Sequence, residues 1–500
     1  MARATQMSTS SDFYFGANNT QGTIGAAAVR GGRWVLSAQA ASTGIRAVST
    51  IILARLLLPA DFGLYAMVVA ITSGFLIFKD LGLCDAVIQW PGLTEIQVSS
   101  LFWVNLGISI VVAVCLAVAS PLLSRFYREP RVAGIVMLGS LTIVLGALSA
   151  QHLALLKRAM LFGGVSKLLM IASIISNIGA VALAWHGAGY WALVSRDVMN
   201  EAVTAIGAWL LCGWRPQKPS RHSGIKPMLV FGGHSIASFV VRRTTRNLDR
   251  TLLGWKFGPM VTGYYHMAFE LAAMFTSLIT EPLRNVAVSS LSRLREQPER
   301  FIRHYVKAIS GVAIACFAAS AVLVAASSDA VAIFWGPKWQ PAGDILHILG
   351  LSAGISAIYM SNIWLHFSLG RADRMAGWTI VETAVIAAAV VVGLPFGAHG
   401  VAWGYTVAMF FLCVTGLRFA GRPIGLTVRD TMAALWRPAV AAVIAASLCW
   451  YIVLRAAFFQ GHVLRMVLFC SAFGLVYASF ILSLSGGIKT VRAYAPYFRY

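Results

Sequence analysis

Apolar stretches of about twenty residues recur from one end of this 500-residue chain to the other, and each is long enough to cross a bilayer as a helix. No other feature narrows the fold as much. Hydrocarbon offers no water to backbone N–H and C=O groups, so spanning segments must be helices or closed barrels. A barrel would show short segments of alternating polarity, and these are absent. Composition agrees: 58% of the residues are hydrophobic and 12% charged, against about 25% charged in soluble domains. The chain is therefore expected to be an all-α polytopic membrane protein of about fourteen (12–14) transmembrane helices. They are predicted at 34–58, 61–78, 97–120, 132–151, 166–185, 190–212, 228–253, 262–280, 306–335, 343–368, 375–394, 399–420, 438–457 and 463–484. The lower count holds if the last two helices are peripheral.

A net charge of +22 raises nucleic acid as a partner, but the basic residues form no patch on a soluble domain. They gather in short loops at alternate helix ends, the positive-inside pattern. With the N-terminus inside, inner loops and tails hold about 26 of the 40 Lys and Arg, and outer loops about 7. Both termini are then expected in the cytoplasm. Residues 1–32 are polar, lack the basic and apolar regions of a signal peptide, and read as a cytoplasmic leader or a misassigned start. The expected organisation is this leader, an N-lobe at 33–215, a C-lobe at 228–422, extra helices at 436–485 and a cytoplasmic tail at 486–500. The seven cysteines show no paired spacing and read as small buried hydrophobes, with no metal site and no cofactor.

Charges inside the apolar stretches are where function should lie, because an arginine near the bilayer centre costs about 2.5–3.5 kcal/mol and usually faces a bundle interior or a hydrated cavity. Arg242, Arg243, Arg246, Asp249 and Arg250 fall within about one third of the circumference if 228–253 is one helix. Asp249 can balance one or two of these arginines; the others would suit a pyrophosphate, whose oxygens accept bidentate guanidinium contacts. Alternatively Arg242 and Arg243 sit at the inner interface. The first helix presents Gln39, Ser42, Thr43, Arg46, Ser49 and Thr50 on one face; Arg46 either faces a cavity or pairs with a carboxylate. Arg55 snorkels to the interface or pairs with Asp61. Arg196, Asp197, Asn200 and Glu201 suggest a self-satisfied ion-pair network. His266 and Glu270 share a face, and Glu382 stands alone in its span, as an ion-coupling carboxylate or a counter-charge.

The sequence carries weak internal echoes. Ala54-Arg55-Leu56-Leu57 then Gly63-Leu64-Tyr65 is echoed by Asp249-Arg250-Thr251-Leu252 then Gly263-Tyr264-Tyr265, and Gly187-Ala188-Gly189 by Gly397-Ala398-His399. Such echoes suggest two six-helix halves. The run from Ala54 through Leu58-Pro59-Ala60-Asp61-Phe62-Gly63-Leu64-Tyr65 resembles the opening signature of bacterial polysaccharide flippases. Further points of resemblance are Asp80-Leu81-Gly82-Leu83, Gly189-Tyr190-Trp191, Asn247-Leu248-Asp249-Arg250 and Phe334-Trp335-Gly336-Pro337. The likeness runs over about residues 30–420 and is nearest to the colanic-acid and exopolysaccharide exporter branch of the Wzx-type flippases. That family lies in the multidrug/oligosaccharidyl-lipid/polysaccharide superfamily.

The resemblance implies two pseudo-repeated six-helix lobes forming a V-shaped central cavity. It also implies transfer of an undecaprenyl-pyrophosphate-linked glycan across the bacterial inner membrane by alternating access. Arg46, Arg242, Arg243, Arg246 and Arg250 are then candidate pyrophosphate ligands, and Asp249, Glu270, Glu382, Arg196 and Asp197 balance charge or couple ions. A polysaccharide polymerase is a candidate partner. Two alternatives stand beside this one. A cation-coupled drug exporter of the same superfamily would favour cavity carboxylates over arginines. A membrane polymerase or ligase would need a large outer loop and catalytic residues that the sequence does not display.

Overall fold

The computed structural model describes Tyr14 and residues 24–90, 92–220, 224–230, 246–454 and 461–484. Among these residues there are helices and turns and no strand. The chain forms two compact units: Met1–Asn247 with Gly254–Pro259, and Leu248–Leu253 with Met260–Tyr500. Nine stretches among the described residues are long and apolar enough to cross a membrane, and the longest of them, Asp373–Ile424, holds two long helices in succession. The chain is an all-α multi-span membrane protein, as expected; the count of about fourteen is not reached by this measure.

Unit 1 begins with α1 (Ile24–Leu56), which starts inside the segment expected as a polar leader, where Ala26–Ala28 favour helix. Pro59 then opens α2 (Pro59–Thr72), and the Asp61 carboxylate accepts the Leu58 N–H at 2.9 Å. The predicted helix 61–78 does not run on as α-helix, because a 3₁₀ segment follows at Ser73–Lys79. Its last carbonyls are satisfied from α4 (Glu95–Tyr127): Asn105 donates to Lys79 O at 2.9 Å and Ser109 to Phe78 O at 2.7 Å. The next short helix, α3 (Leu83–Gln89), ends under Arg158, whose Nη1 donates to the carbonyls of Val87, Ile88 and Trp90. Apolar surroundings demand this, since an orphaned carbonyl has no water to turn to. Then come α5 (Arg131–Arg158), α6 (Phe162–Trp185) and α7 (Trp191–Cys212). Helix α5 packs against α4 and α7, and α6 against α1 and α7. One core gathers Leu64, Met67, Val132, Ile135 and Val136; another gathers Leu83, Val87, Phe102, Leu155 and Trp214.

The segment α8 (Leu248–Ser292) is broken at Gly258, with φ 76° and ψ −172°, a combination essentially confined to glycine. The break falls between the helices predicted at 228–253 and 262–280. Unit 2 continues with α9 (Pro298–Ala325), α10 (Ser327–Phe334), α11 (Gln340–Tyr359), α12 (Ser361–Ser368), α13 (Ala372–Gly393), α14 (Gly397–Gly421), α15 (Val428–Cys449) and α16 (His462–Leu484). The single helix expected at 306–335 is divided at Ala326, whose φ of −109° and ψ of 20° leave the helical region. A core of Tyr305, Ile309, Trp364, Leu412 and Leu417 ties α9, α12 and α14 together. The last two helices are packed elements of the unit: Phe469, Phe473 and Tyr477 of α16 join Ala441 and Ala445 of α15. Asp329 of α10 receives His462 Nδ1 at 2.6 Å and Arg465 Nη2 at 3.4 Å.

Candidate functional site

Apart from α13, which carries Glu382 within an apolar stretch, the helices with the candidate charges are set apart by composition. Helices α1, α7 and α8 are not among the nine stretches apolar enough to cross a membrane, because hydroxyl, amide and charged residues occupy part of their length. Their polar faces need protein or water rather than lipid beside them.

In unit 1, Arg46 lies on α1, exposed, and forms no ion pair among the described residues. The predicted stripe around it is graded. Gln39 is exposed, Ser42, Thr43 and Thr50 are half-buried, and Ser49 is buried. Arg246 is exposed too, but in a turn with Asn247 ahead of α8. The expectation of one continuous helix over 228–253 is therefore corrected at 246–247, and Arg246 does not share a helical row with Asp249 and Arg250. Asn247 explains the turn: it is buried and donates to Ser73 Oγ at 2.9 Å. Arg242 and Arg243 lie outside the described residues.

The network expected on the sixth predicted helix holds one internal pair, Arg196–Asp197, and otherwise reaches other elements. Arg196 Nε meets Asp197 Oδ1 at 3.4 Å, and Asp197 Oδ2 accepts the Tyr65 hydroxyl at 2.6 Å. The Arg196 guanidinium lies 5.7 Å from the Tyr65 ring centroid. Glu201 turns elsewhere, to Lys79 Nζ at 3.1 Å. Both pairs bridge α7 to the segment that runs from α2 through the 3₁₀ turn. A local spacing rule sees only the α7 side.

Unit 2 contains the counterpart. Arg250 is buried, and its Nη2 donates to Glu270 Oε1 at 3.0 Å. Its guanidinium stacks 4.8 Å from the Phe269 ring centroid, and His266 Nδ1 approaches the same Glu270 oxygen at 4.0 Å. Asp249, also buried, accepts the Arg250 backbone N–H at 2.8 Å and lies beside the Tyr265 hydroxyl. The Arg250–Glu270 pair thus joins the two limbs of α8 across the Gly258 break. Tyr65 and Tyr265 occupy the same place in the sequence echo, and each meets an aspartate with an adjacent arginine: Arg196-Asp197 and Asp249-Arg250. The echo held the signal for these tyrosines.

Glu382 is half-buried on α13 and is not isolated. Its Oε2 accepts the Tyr359 hydroxyl at 2.9 Å, and Tyr359 accepts Trp378 Nε1 at 2.8 Å. No group of three or more His, Cys, Asp or Glu fit to hold a metal occurs among the described residues.

Helices of this length, with charged groups held inside them, define a multi-span membrane protein. Residues 52–344 match the polysaccharide biosynthesis protein family. The chain belongs to that family, within the Wzx-type branch that its sequence resembles. It is 23% identical over 421 residues to the lipopolysaccharide biosynthesis protein WzxC of Escherichia coli K12, covering 82% of this chain and 84% of the relative. It is 22% identical over 382 residues to the succinoglycan biosynthesis transport protein ExoT of Rhizobium meliloti, covering 76% of each. Among solved structures, the lipid II flippase MurJ in an inward closed conformation shares the fold. The TM-score is 0.72 at 13% identity, over 90% of this chain and 99% of that one. An inward-facing multidrug resistance transporter of the MATE family matches at a TM-score of 0.63 and 13% identity, over 78% of this chain and 96% of that one.

Proposed function

We propose that this protein flips undecaprenyl-pyrophosphate-linked oligosaccharide repeat units across the bacterial inner membrane by alternating access, supplying exopolysaccharide or lipopolysaccharide biosynthesis. Membership of the polysaccharide biosynthesis family, on a fold shared with a lipid II flippase, carries the reading. Arg46 and Arg246 are the pyrophosphate ligands we assign among the described residues: both are exposed, Arg46 on a helix too polar to face lipid and Arg246 in the turn ahead of α8. Arg242 and Arg243 belong to the same proposal by sequence. Arg250 moves to the charge-balancing group with Asp249, Glu270, Arg196 and Asp197, because its guanidinium is already committed to Glu270. Glu382, steadied by Tyr359, is the carboxylate we assign to a coupling proton or sodium ion. Both termini lie in the cytoplasm, and a polymerase consumes the outward-facing product.

The test is the fate of lipid-linked repeat units in a strain of the native host lacking this protein. Surface polysaccharide should vanish while full-length units accumulate on the cytoplasmic leaflet. Restoring the gene with Arg46→Ala should leave that block in place, and Glu382→Gln should remove the dependence of export on an ion gradient. Intact units reaching the outer leaflet unpolymerised would overturn the reading in favour of a later enzymatic step.

A further inference from the structure

Glu382 needs a donor that its own helix does not supply. It lies in Asp373–Ile424, the longest apolar stretch among the described residues. A carboxylate in apolar surroundings ionises readily only where donors are aimed at it. The elements packed against α13 are α12, α14 and the 3₁₀ turn Leu394–Phe396. They bring His366 from α12 and Tyr405, Cys413 and Arg418 from α14, beside Asp373 and Arg374 of α13 itself; His399 stands at the other end of α14. Glu382 forms no ion pair among the described residues, and its Oε2 meets instead the Tyr359 hydroxyl at the end of α11, at 2.9 Å.

The direction of that bond is fixed from behind. A hydroxyl has one proton and two lone pairs, and an indole N–H can only donate. Trp378 Nε1, 2.8 Å from the Tyr359 oxygen, fills one lone pair. Asn362, also buried, bonds the same hydroxyl. The Asn362 amide oxygen has no partner among the described residues, so its N–H side makes the bond and fills the second. The phenol proton is then left for Glu382. Without Trp378 the hydroxyl would be free to turn and accept from a protonated Glu382, favouring the neutral acid. Packing holds the indole in place. Its ring stacks on Phe419 at 5.1 Å between centroids, and Arg374 donates to the Phe419 carbonyl at 2.8 Å. Gly416 leaves room for the pair, since a Cβ there would stand 2.8 Å from Tyr359 Cε2 and 3.1 Å from Trp378 Cζ2.

We propose that Trp378, with Asn362, is a positioning residue for the coupling carboxylate: by occupying the acceptor side of the Tyr359 hydroxyl it commits the phenol proton to Glu382 and keeps that carboxylate able to ionise inside an apolar span. The coupling role of Glu382 rests on the function proposed above; the relay of donors does not.

Labelling of the detergent-solubilised full-length protein with dicyclohexylcarbodiimide tests the relay, because this apolar reagent attacks protonated carboxyls. The rate at Glu382 is read by peptide mass spectrometry across a pH series. Tyr359→Phe removes the donor and should be labelled about tenfold faster at neutral pH, as the loss of a hydrogen bond to a charged group requires. Trp378→Phe keeps a ring against Phe419 but lacks the N–H; it and Asn362→Ala should move the same way by smaller factors. At acid pH, where the carboxyl is protonated in every variant, all rates should converge. Gly404→Ala, a strained contact of the same two helices away from the relay, should label as the native chain does. Unchanged rates in Trp378→Phe, a rate raised by one factor at every pH, or an equal gain in Gly404→Ala would overturn the positioning role, the last two by showing a loosened helix. Export with unaltered ion dependence in Glu382→Gln would overturn the coupling role alone and leave the labelling difference standing.

Discussion

Arg250 and Arg46 are one residue type in two physical situations. Arg250 is buried beside Asp249 and ion-paired with Glu270. Removing it takes the ion-pair partner from Glu270 and the neighbouring positive charge from Asp249, and hydrogen bonds to charged groups contribute about 1.5–3 kcal/mol. With Glu270 half-exposed, the lower part of that range applies. Arg250→Ala should therefore lower the melting temperature of the detergent-solubilised protein and its level in the membrane. Arg46→Ala and Arg246→Ala should change neither, yet both should abolish export. A stable R250A protein at wild-type levels would return Arg250 to the substrate ligands. From the sequence, all these arginines except Arg46 fell in one helical row. That reading failed where Asn247 bonds to Ser73 and the chain turns, and where Arg250 finds a partner twenty positions away. Neither contact has a local signature.

Among the elements, the α13–α14 pair shows how little side chain can decide packing. A Cβ at Gly404 would strike the Ala389 carbonyl, and Cβ atoms at Gly393 and Gly400 would each strike the other's backbone. Backbone cannot give way as a side-chain tip does, and such small-residue contacts let membrane helices approach closely. Gly404→Ala should cost about 1–3 kcal/mol, read as reduced resistance to thermal unfolding in detergent. At Gly107, in the middle of α4, a Cβ would have open space, with no neighbouring atom within 4 Å among the described residues. Gly107→Ala should be neutral or stabilise by up to about 1 kcal/mol, through the greater helix propensity of alanine. Equal behaviour of the two variants would mean that the α13–α14 contact is not tight. The existence of both helices was readable from apolar run length. Their closeness was not, because glycine leaves no hydropathy signal.

At the scale of the whole molecule, charge asymmetry is the feature the sequence displays best, with weak internal echoes beside it. Proline opens the helix after a break at both Leu58-Pro59 and Gly258-Pro259, and Tyr65 and Tyr265 each meet an aspartate. Charge gives direction. In unit 2, Arg293, Arg295, Arg300, Arg303, Arg371, Arg422 and Arg429 cluster at the helix ends joined by 293–297, 369–371 and 422–427. The opposite ends, joined by 335–339, 394–396 and 450–461, bear in sequence Lys338, Arg455 and, at the start of α16, Arg465. Cytoplasmic loops retain the excess of Lys and Arg, and on that rule we propose that the first set faces inward. Single cysteines in a background without the seven native ones make this measurable. Arg300→Cys should react with a membrane-impermeant maleimide only after cells are permeabilised. Phe396→Cys, at a position 76% exposed on the opposite end, should react in intact cells. The reverse pattern would invert the protein in the membrane. It would turn the arginine-rich helix ends of unit 2 toward the outer leaflet, and export by this chain would lose its inward-facing entry for the substrate.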